Sequence, residues 1–236
     1  MKTLVVTGGT GRFGLELKKI KTKNKIYFPR KDKLNILNFN NVMKYLRKFK
    51  PEILIHLAGL SRPMKIHDEN IISSIDKNII GTANITKACS ILNIKLIYFS
   101  TNYVYEGTKG NYKETDPILP FNNYAWSKLG GEASVQLYKN SLILRVCMTE
   151  RPFVHKQAFT NVKTNFEYHN IIAKILFKLL DEKGVINLGG KSQSVYSFAK
   201  KSNKKIKKII LKKTQKNLVP LNSSMNLSKL KKIIKS

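Results

Sequence analysis

A chain of 236 residues with 42% hydrophobic and 9% aromatic side chains is long enough for one ordinary core with a small appendage. It is too apolar for a disordered segment, and no run approaches the ~18–20 apolar residues that cross a bilayer. Its 44 Lys+Arg against 14 Asp+Glu leave a net charge of +30, which raises nucleic acid or an anionic membrane surface as partners.

The basic residues are nearly all lysine, with arginine only at positions 12, 30, 47, 62, 145 and 151. Arginine forks are the usual readers of bases and phosphates, and Lys, Ile and Asn are together what AT-rich codons produce. A compositional bias therefore explains the charge better than nucleic-acid binding does. The excess is concentrated late: residues 200–236 hold 13 lysines and no acidic side chain, and the nine lysines from Lys200 to Lys216 read as a solvated face. Two cysteines, Cys89 and Cys147, suit a reducing compartment and have no metal or disulfide spacing. The apolar stretch near Met1 is too short for a signal peptide, so the expected location is the cytoplasm.

In chain order, Leu4-Val5-Val6 is a short β-rich run. It is followed by Gly8, Gly9, Gly11 and Gly14, then by Phe13, Leu17 and Ile20 at helical spacing. This predicts strand, glycine turn and helix. Ile26–Phe28 predicts a second strand, Val42–Phe49 a helix that stops before Pro51, and Ile53–Leu57 a third strand. A long helix is expected over about Asn70–Leu92, then a strand over Lys95–Phe99, a helix over Trp126–Tyr138 and a strand over Leu142–Val146. Apolar strands alternating with helices predict an α/β fold, a doubly wound parallel sheet, over residues 1–150. Residues 151–236 are expected to form a small α+β substrate lobe with returning elements. Its expected parts are a helix at Glu167–Leu180, strands at Val185–Leu188 and Ile206–Leu211, a short helix near Tyr196 and a basic helix at Met225–Ile234.

Glycines in a strand–turn–helix context let the backbone turn tightly and approach a pyrophosphate. The end of the second strand, Phe28-Pro29-Arg30-Lys31, favours NADP(H): Arg30 is the expected partner of a 2′-phosphate, with Arg12 a second. Asp32 keeps NAD(H) open. Ser100-Thr101 at the end of a buried strand precede Tyr124-Ala125-Trp126-Ser127-Lys128. A tyrosine and a lysine four apart at a helix start share one side of the helix. There the ammonium is expected to lower the phenol's pKa while a hydroxyl, from Thr101 or Ser100, binds a substrate carbonyl. Arg145, at the end of a strand, is a candidate for a substrate phosphate. The four histidines are scattered without metal spacing and read as satisfied or exposed.

These motifs resemble the extended short-chain dehydrogenase/reductases, whose dinucleotide-binding domain is a Rossmann fold. The turn Thr7–Gly14, the loop His56-Leu57-Ala58-Gly59, the helix segment Asn78–Thr82 and the Tyr-x-x-x-Lys segment are all similar to that family's. Within it, Ser100–Gly107, Tyr112–Pro117, Tyr124–Glu132 and the tail Pro220–Leu230 look most like the dTDP-4-dehydrorhamnose reductase branch. The resemblance implies cofactor contacts from Gly8, Gly11, Arg12, Phe13 and Gly14, from Asn35 and Ile36 at the adenine, and from Leu57, Ala58 and Gly59. It implies Thr101, Tyr124 and Lys128 as catalytic hydroxyl, acid and cofactor-ribose ligand, and reduction of a 4-keto nucleotide-sugar. An epimerase or dehydratase on the same scaffold stays open, as does a homodimer. The branch also includes a non-catalytic regulatory subunit. Asn35 and Asn102 stand where the branch usually has aspartate.

Overall fold

The computed structural model describes residues 1–212, 214 and 219–235. Its centre is a six-stranded, all-parallel sheet. Three strands come first, β1 (Thr3–Thr7), β2 (Lys25–Tyr27) and β3 (Ile53–His56), with α1 (Arg12–Lys18) and α2 (Phe39–Phe49) between them. From β3 the chain passes through two short helices, α3 (Ile66–Glu69) and α4 (Ile71–Ser74), a π-helical turn (Ile75–Ile80) and α5 (Gly81–Ile91). Then come β4 (Lys95–Thr101), α6 (Asn123–Gln136) and β5 (Ser141–Val146). The remaining elements are β6 (Met148–Thr149), β7 (Gln157–Phe159), β8 (Lys163–Thr164), β9 (Glu167–Tyr168), α7 (His169–Leu176), β10 (Gly184–Leu188), β11 (Gln193–Ser194), α8 (Val195–Ala199), β12 (Lys207–Ile209) and α9 (Ser228–Lys235).

The sheet order is β10-β5-β4-β3-β1-β2. Strands β3, β4 and β5 are buried along their whole length, which is why they read as unbroken apolar runs: helices cover both faces. One face packs Phe13, Leu17, Ile172, Leu176 and Leu230 from α1, α7 and α9. The other packs Val42, Leu46, Ile85, Cys89 and Val135 from α2, α5 and α6. Each such fully buried aliphatic side chain contributes roughly 1.5–3 kcal/mol over its exposed state. The order reverses at β1 and β3, so the crevice beyond their carboxyl ends is the fold's ligand-binding position.

Three expectations are corrected in detail. The long helix expected over Asn70–Leu92 starts after Asn70, whose side chain caps the Ser73 N–H, and runs to Ile91, but its middle, Ile75–Ile80, is a π-helical turn. The helix expected over Glu167–Leu180 begins only at His169, Glu167 and Tyr168 having paired as a strand with Met148 and Thr149. The strand expected over Ile206–Leu211 is Lys207–Ile209, paired with β7.

After residue 150 the chain divides its contributions. β10 completes the main sheet beside β5, and α7 and α9 pack on its helical face. Phe153, Ala158, Val162, Phe198 and Ile206 form a separate small core. The tail is tied to the loop between β4 and α6: the Asn222 N–H donates to the Gly107 carbonyl at 2.7 Å, and the Asn226 N–H to the Tyr112 carbonyl at 2.8 Å. The lysine run Lys200–Lys216 lies partly outside the described residues, and its described lysines are exposed. Among the described residues no helix is long and apolar enough to cross a membrane.

Candidate active site

β1 ends at Thr7, whose hydroxyl sits 2.7 Å from His56 Nδ1 and accepts the Ala58 N–H at 3.3 Å, fastening β1 to the loop after β3. Gly8 follows at φ +70°, and a Cβ there would lie 2.6 Å from Ala58 N. The turn therefore accepts only glycine at this point. Gly11 precedes α1 with no side-chain cap, and the first turn has no acidic residue, so the leading N–H groups are not claimed by a side chain. Gly14 lets the helix settle on the turn, since its Cβ would fall 2.6 Å from Gly9 Cα. Phe13 turns inward, its ring 5.1 Å from Phe99 and 5.7 Å from His169, so only its backbone faces the turn. Arg12 turns outward. Such a cradle of close-approaching backbone fits a dinucleotide's pyrophosphate.

At the far end of the crevice Arg30 is exposed and pairs with Asp32 at 3.6 Å. An exposed pair of this kind is worth at most about 1 kcal/mol, which leaves the guanidinium available to another anion. Asn35 accepts the Leu37 N–H at 3.1 Å, and its own N–H donates to Asn41 at 2.7 Å. Ile36 is buried between α2 and α5, its carbonyl held by Asn84 at 2.9 Å. Leu57, Ala58 and Gly59 run past Gly8. A Cβ on Gly59 would meet Asn78 Oδ1 at 2.8 Å.

Asn78, in the π turn, donates to the Leu60 carbonyl at 2.9 Å and to Ser127 Oγ at 2.8 Å, and accepts the Leu60 N–H at 2.7 Å. It ties the loop after β3 to the first turn of α6, where Tyr124 and Lys128 lie. Its place in the Asn78–Thr82 motif was the available signal. The Ser127 contact, across 49 residues, had none.

Thr101 ends β4 almost completely buried, and its hydroxyl accepts the Tyr103 N–H at 3.2 Å. Tyr124 begins α6, whose Asn122 cap accepts the Ala125 N–H at 2.9 Å, and it packs against the His67 ring at 5.1 Å. Burial raises the Tyr124 pKa above the ordinary phenol value; the hydrogen bond with Thr101 and the charges of Arg62 and Arg12 pull the other way. The expectation that Lys128 lowers this pKa is corrected. Lys128 is itself buried, its ammonium 4.2 Å over the Tyr98 ring, and burial lowers its pKa to about 7 against the pull of Glu132. The ammonium is directed at the Tyr98 ring, and Lys128 is not among the groups that shift the Tyr124 pKa.

Glu132, one turn beyond Lys128, organises the layer beneath. Its Oε1 accepts from Arg145 Nη2 at 2.7 Å and Nε at 3.1 Å, and its Oε2 accepts from Ser100. Ser100 is thus committed to Glu132, and Thr101 is the hydroxyl that meets Tyr124. Arg145 is corrected as a substrate ligand: it is 3% exposed and also donates to Tyr105 Oη at 2.8 Å and the Glu114 carbonyl at 3.1 Å. Strand β5 directs it into the domain, where four of its five N–H groups are engaged. His56 is satisfied between Thr7 and Thr82, and burial followed by the Lys128 charge lowers its pKa to about 3. Asn102 donates to Ser223 Oγ at 3.0 Å, linking the catalytic strand end to the tail. Beyond Tyr103 the small lobe frames an open pocket of about 590 Å³, lined by Phe153, Phe166 and Val195, with Lys156 and Lys207 among its residues.

With this geometry in place the comparisons are informative. Residues 1–157 match the family model described as RmlD substrate binding domain. The chain belongs to this family. It is 32% identical over 154 residues to a dTDP-4-dehydrorhamnose reductase of Aggregatibacter actinomycetemcomitans, covering 63% of this chain and 52% of that protein. It is 31% identical over 152 residues to methionine adenosyltransferase 2 subunit beta of Xenopus laevis, covering 60% of this chain and 45% of that one. The chain thus spans about half the length of the curated relatives it matches. Its fold is shared with a dTDP-4-dehydrorhamnose reductase from Bacillus anthracis solved in complex with NADP. There the TM-score is 0.87 at 22% identity, over 98% of this chain and 92% of that chain.

Proposed function

We propose that the protein is an NADPH-dependent reductase of a 4-keto nucleotide-sugar. The observation that carries this reading is the convergence of Thr101, Tyr124 and Lys128 at the carboxyl end of β4, beside the crevice framed by Gly8 and Ala58. The family membership and the NADP-bound relative of the same fold support it. A nicotinamide dinucleotide, when bound, supplies the hydride that adds to the carbonyl carbon.

The chain's residues do the rest. Gly8, Gly11, Ala58 and Gly59 hold the dinucleotide by backbone, Arg30 takes its 2′-phosphate, and Lys128 holds its ribose. Thr101 orients the carbonyl oxygen, and Tyr124 gives that oxygen its proton, leaving an alcohol. A phenol is protonated at neutral pH, and an oxygen becoming an alkoxide is basic enough to take its proton; burial of Tyr124 opposes that transfer, and the Thr101 hydrogen bond and the Arg62 and Arg12 charges favour it. The small lobe, with its own core and a pocket joined through Tyr103 to Thr101, takes the nucleotide-sugar. The two buried thiols suit a reducing, cytoplasmic setting.

The test is net NADPH oxidation across a panel of 4-keto nucleotide-sugars. Tightly co-purifying NAD⁺ without net oxidation indicates an epimerase or dehydratase instead. The similarity to the Xenopus subunit beta favours a second reading, a cofactor-binding regulatory subunit. Capture of a stoichiometric enzyme partner together with no turnover would establish it.

A further inference from the structure

Two arginines from separate loops end on one carboxylate. Arg12, in the glycine turn, places Nη1 3.0 Å from Glu150 Oε1. Arg62, in the loop after β3, places Nη1 3.1 Å from the same oxygen and 3.3 Å from Oε2. Glu150 follows β6, so the cluster joins three loops at one end of the sheet. Its side chain is mostly covered, at 19% exposed, whereas Arg12 and Arg62 keep 47% and 37%. Both guanidinium charges reach the Tyr124 phenol, and that of Arg62 reaches Tyr103. The cluster therefore stands at the mouth of the proposed active site, between the glycine turn and the catalytic tyrosine.

Its composition points to a ligand. Two guanidinium groups that each bring one nitrogen to the same carboxylate oxygen put the charge and planar donors used to bind phosphate at one point. Two cations against one anion leave an excess positive charge. Arg12 spends its other nitrogen on a long contact to Ser61 Oγ at 3.4 Å, and among the described residues the remaining N–H groups of Arg62 have no acceptor. A tie that served only to join loops would bury its cations and engage most of their donors, as Arg145 does.

We propose that Arg12 and Arg62 form a diphosphate clamp, with Arg62 a ligand-binding residue, and that the Glu150 carboxylate holds the clamp until a ligand phosphate displaces it. This deepens the function proposed above and rests on that reading for the location of the cleft. A dinucleotide's pyrophosphate and a nucleotide-sugar's diphosphate share the required chemistry.

The experiment is calorimetric titration of the full chain and its Arg62→Gln and Glu150→Gln variants with inorganic pyrophosphate, NADPH and dTDP, alongside thermal melting. Removing the internal competitor in Glu150→Gln tightens pyrophosphate binding about tenfold, and Arg62→Gln weakens it about tenfold, the scale of one charge-assisted hydrogen bond. Should Arg62→Gln not fold, Arg62→Lys keeps the charge without the fork and still weakens binding. The same pattern with NADPH alone assigns the clamp to the dinucleotide; with dTDP alone, to the substrate. The clamp is overturned if wild type binds no pyrophosphate, if Glu150→Gln leaves affinity unchanged or lowers it together with the melting temperature, or if a folded Arg62→Gln binds as wild type. Variant responses as expected with no keto-sugar reduced uphold the clamp and overturn the reductase.

Discussion

Glu132→Gln tests the layer that supports the active site. Glu132 and Arg145 are 1% and 3% exposed, and their ion pair is made at 2.7 Å and 3.1 Å through a single oxygen. Glutamine keeps an oxygen for the guanidinium and removes the charge, leaving Arg145 as a buried cation with neutral acceptors alone: that oxygen, the Tyr105 hydroxyl and the Glu114 carbonyl. Breaking a buried pair from one side costs about 3–5 kcal/mol, a large share of the ~5–15 kcal/mol that holds a domain together. Urea unfolding of Glu132→Gln, Arg145→Met and the double variant measures it. Each single variant is expected to lose about 3–5 kcal/mol, and the double variant less than the sum by about 2 kcal/mol or more, because the second substitution removes the stranded charge. A single-variant loss under about 1 kcal/mol, or strict additivity, refutes the reasoning. Glu132 also holds the Lys128 pKa up, so Glu132→Gln lowers that pKa from its value of about 7, readable by NMR of the lysine.

Two further outcomes follow from named groups. His56 titrates at about 3 in the folded chain against an ordinary 6.5. The unfolded state therefore binds the extra proton between these values, and stability falls as pH drops from about 6.5 to 3, by up to ~1.4 kcal/mol per unit, with no contribution from His56 above that window. Urea midpoints against pH should show this slope flattened in His56→Gln, and an unchanged slope contradicts the assignment. Arg30→Gln is expected to weaken NADPH about tenfold, the loss of one charge-assisted contact, while NADH affinity stays level. Parallel titrations with the two cofactors check this, and equal losses for both would remove Arg30 from the 2′-phosphate.

Much of the fold was legible because its signals are local. The run Leu4–Val6, the glycines after it and the spacing of Phe13 and Leu17 lie within one strand–turn–helix unit, and Tyr124 and Lys128 are one helical turn apart. What was not legible depends on contacts distant in sequence. The π turn at Ile75–Ile80, inside the helix that Asn70 caps, leaves no mark in the apolar spacing, which registers a helix face and not its hydrogen-bond pattern. The pairings of β6 with β9, β7 with β12 and β8 with β11 join strands of two or three residues, too short to carry a period. Arg145 looked available because its strand ends near the cleft. Its partner Glu132 is 13 residues earlier on α6, and only the packing of α6 against β5 makes the pair. The Lys128 pKa is likewise a property of burial over Tyr98, and the pattern Tyr-x-x-x-Lys contains no trace of it.

The central claim is that Tyr124 protonates a carbonyl oxygen as hydride arrives from a bound dinucleotide. The most direct measurement compares wild type and Tyr124→Phe for NADPH affinity and for single-turnover oxidation of bound NADPH by a 4-keto nucleotide-sugar. The account predicts equal NADPH affinities and a rate lower by about 10²–10⁴ in the variant, the usual contribution of a positioned general acid. A Tyr124→Phe protein that oxidises NADPH at the wild-type rate would contradict it.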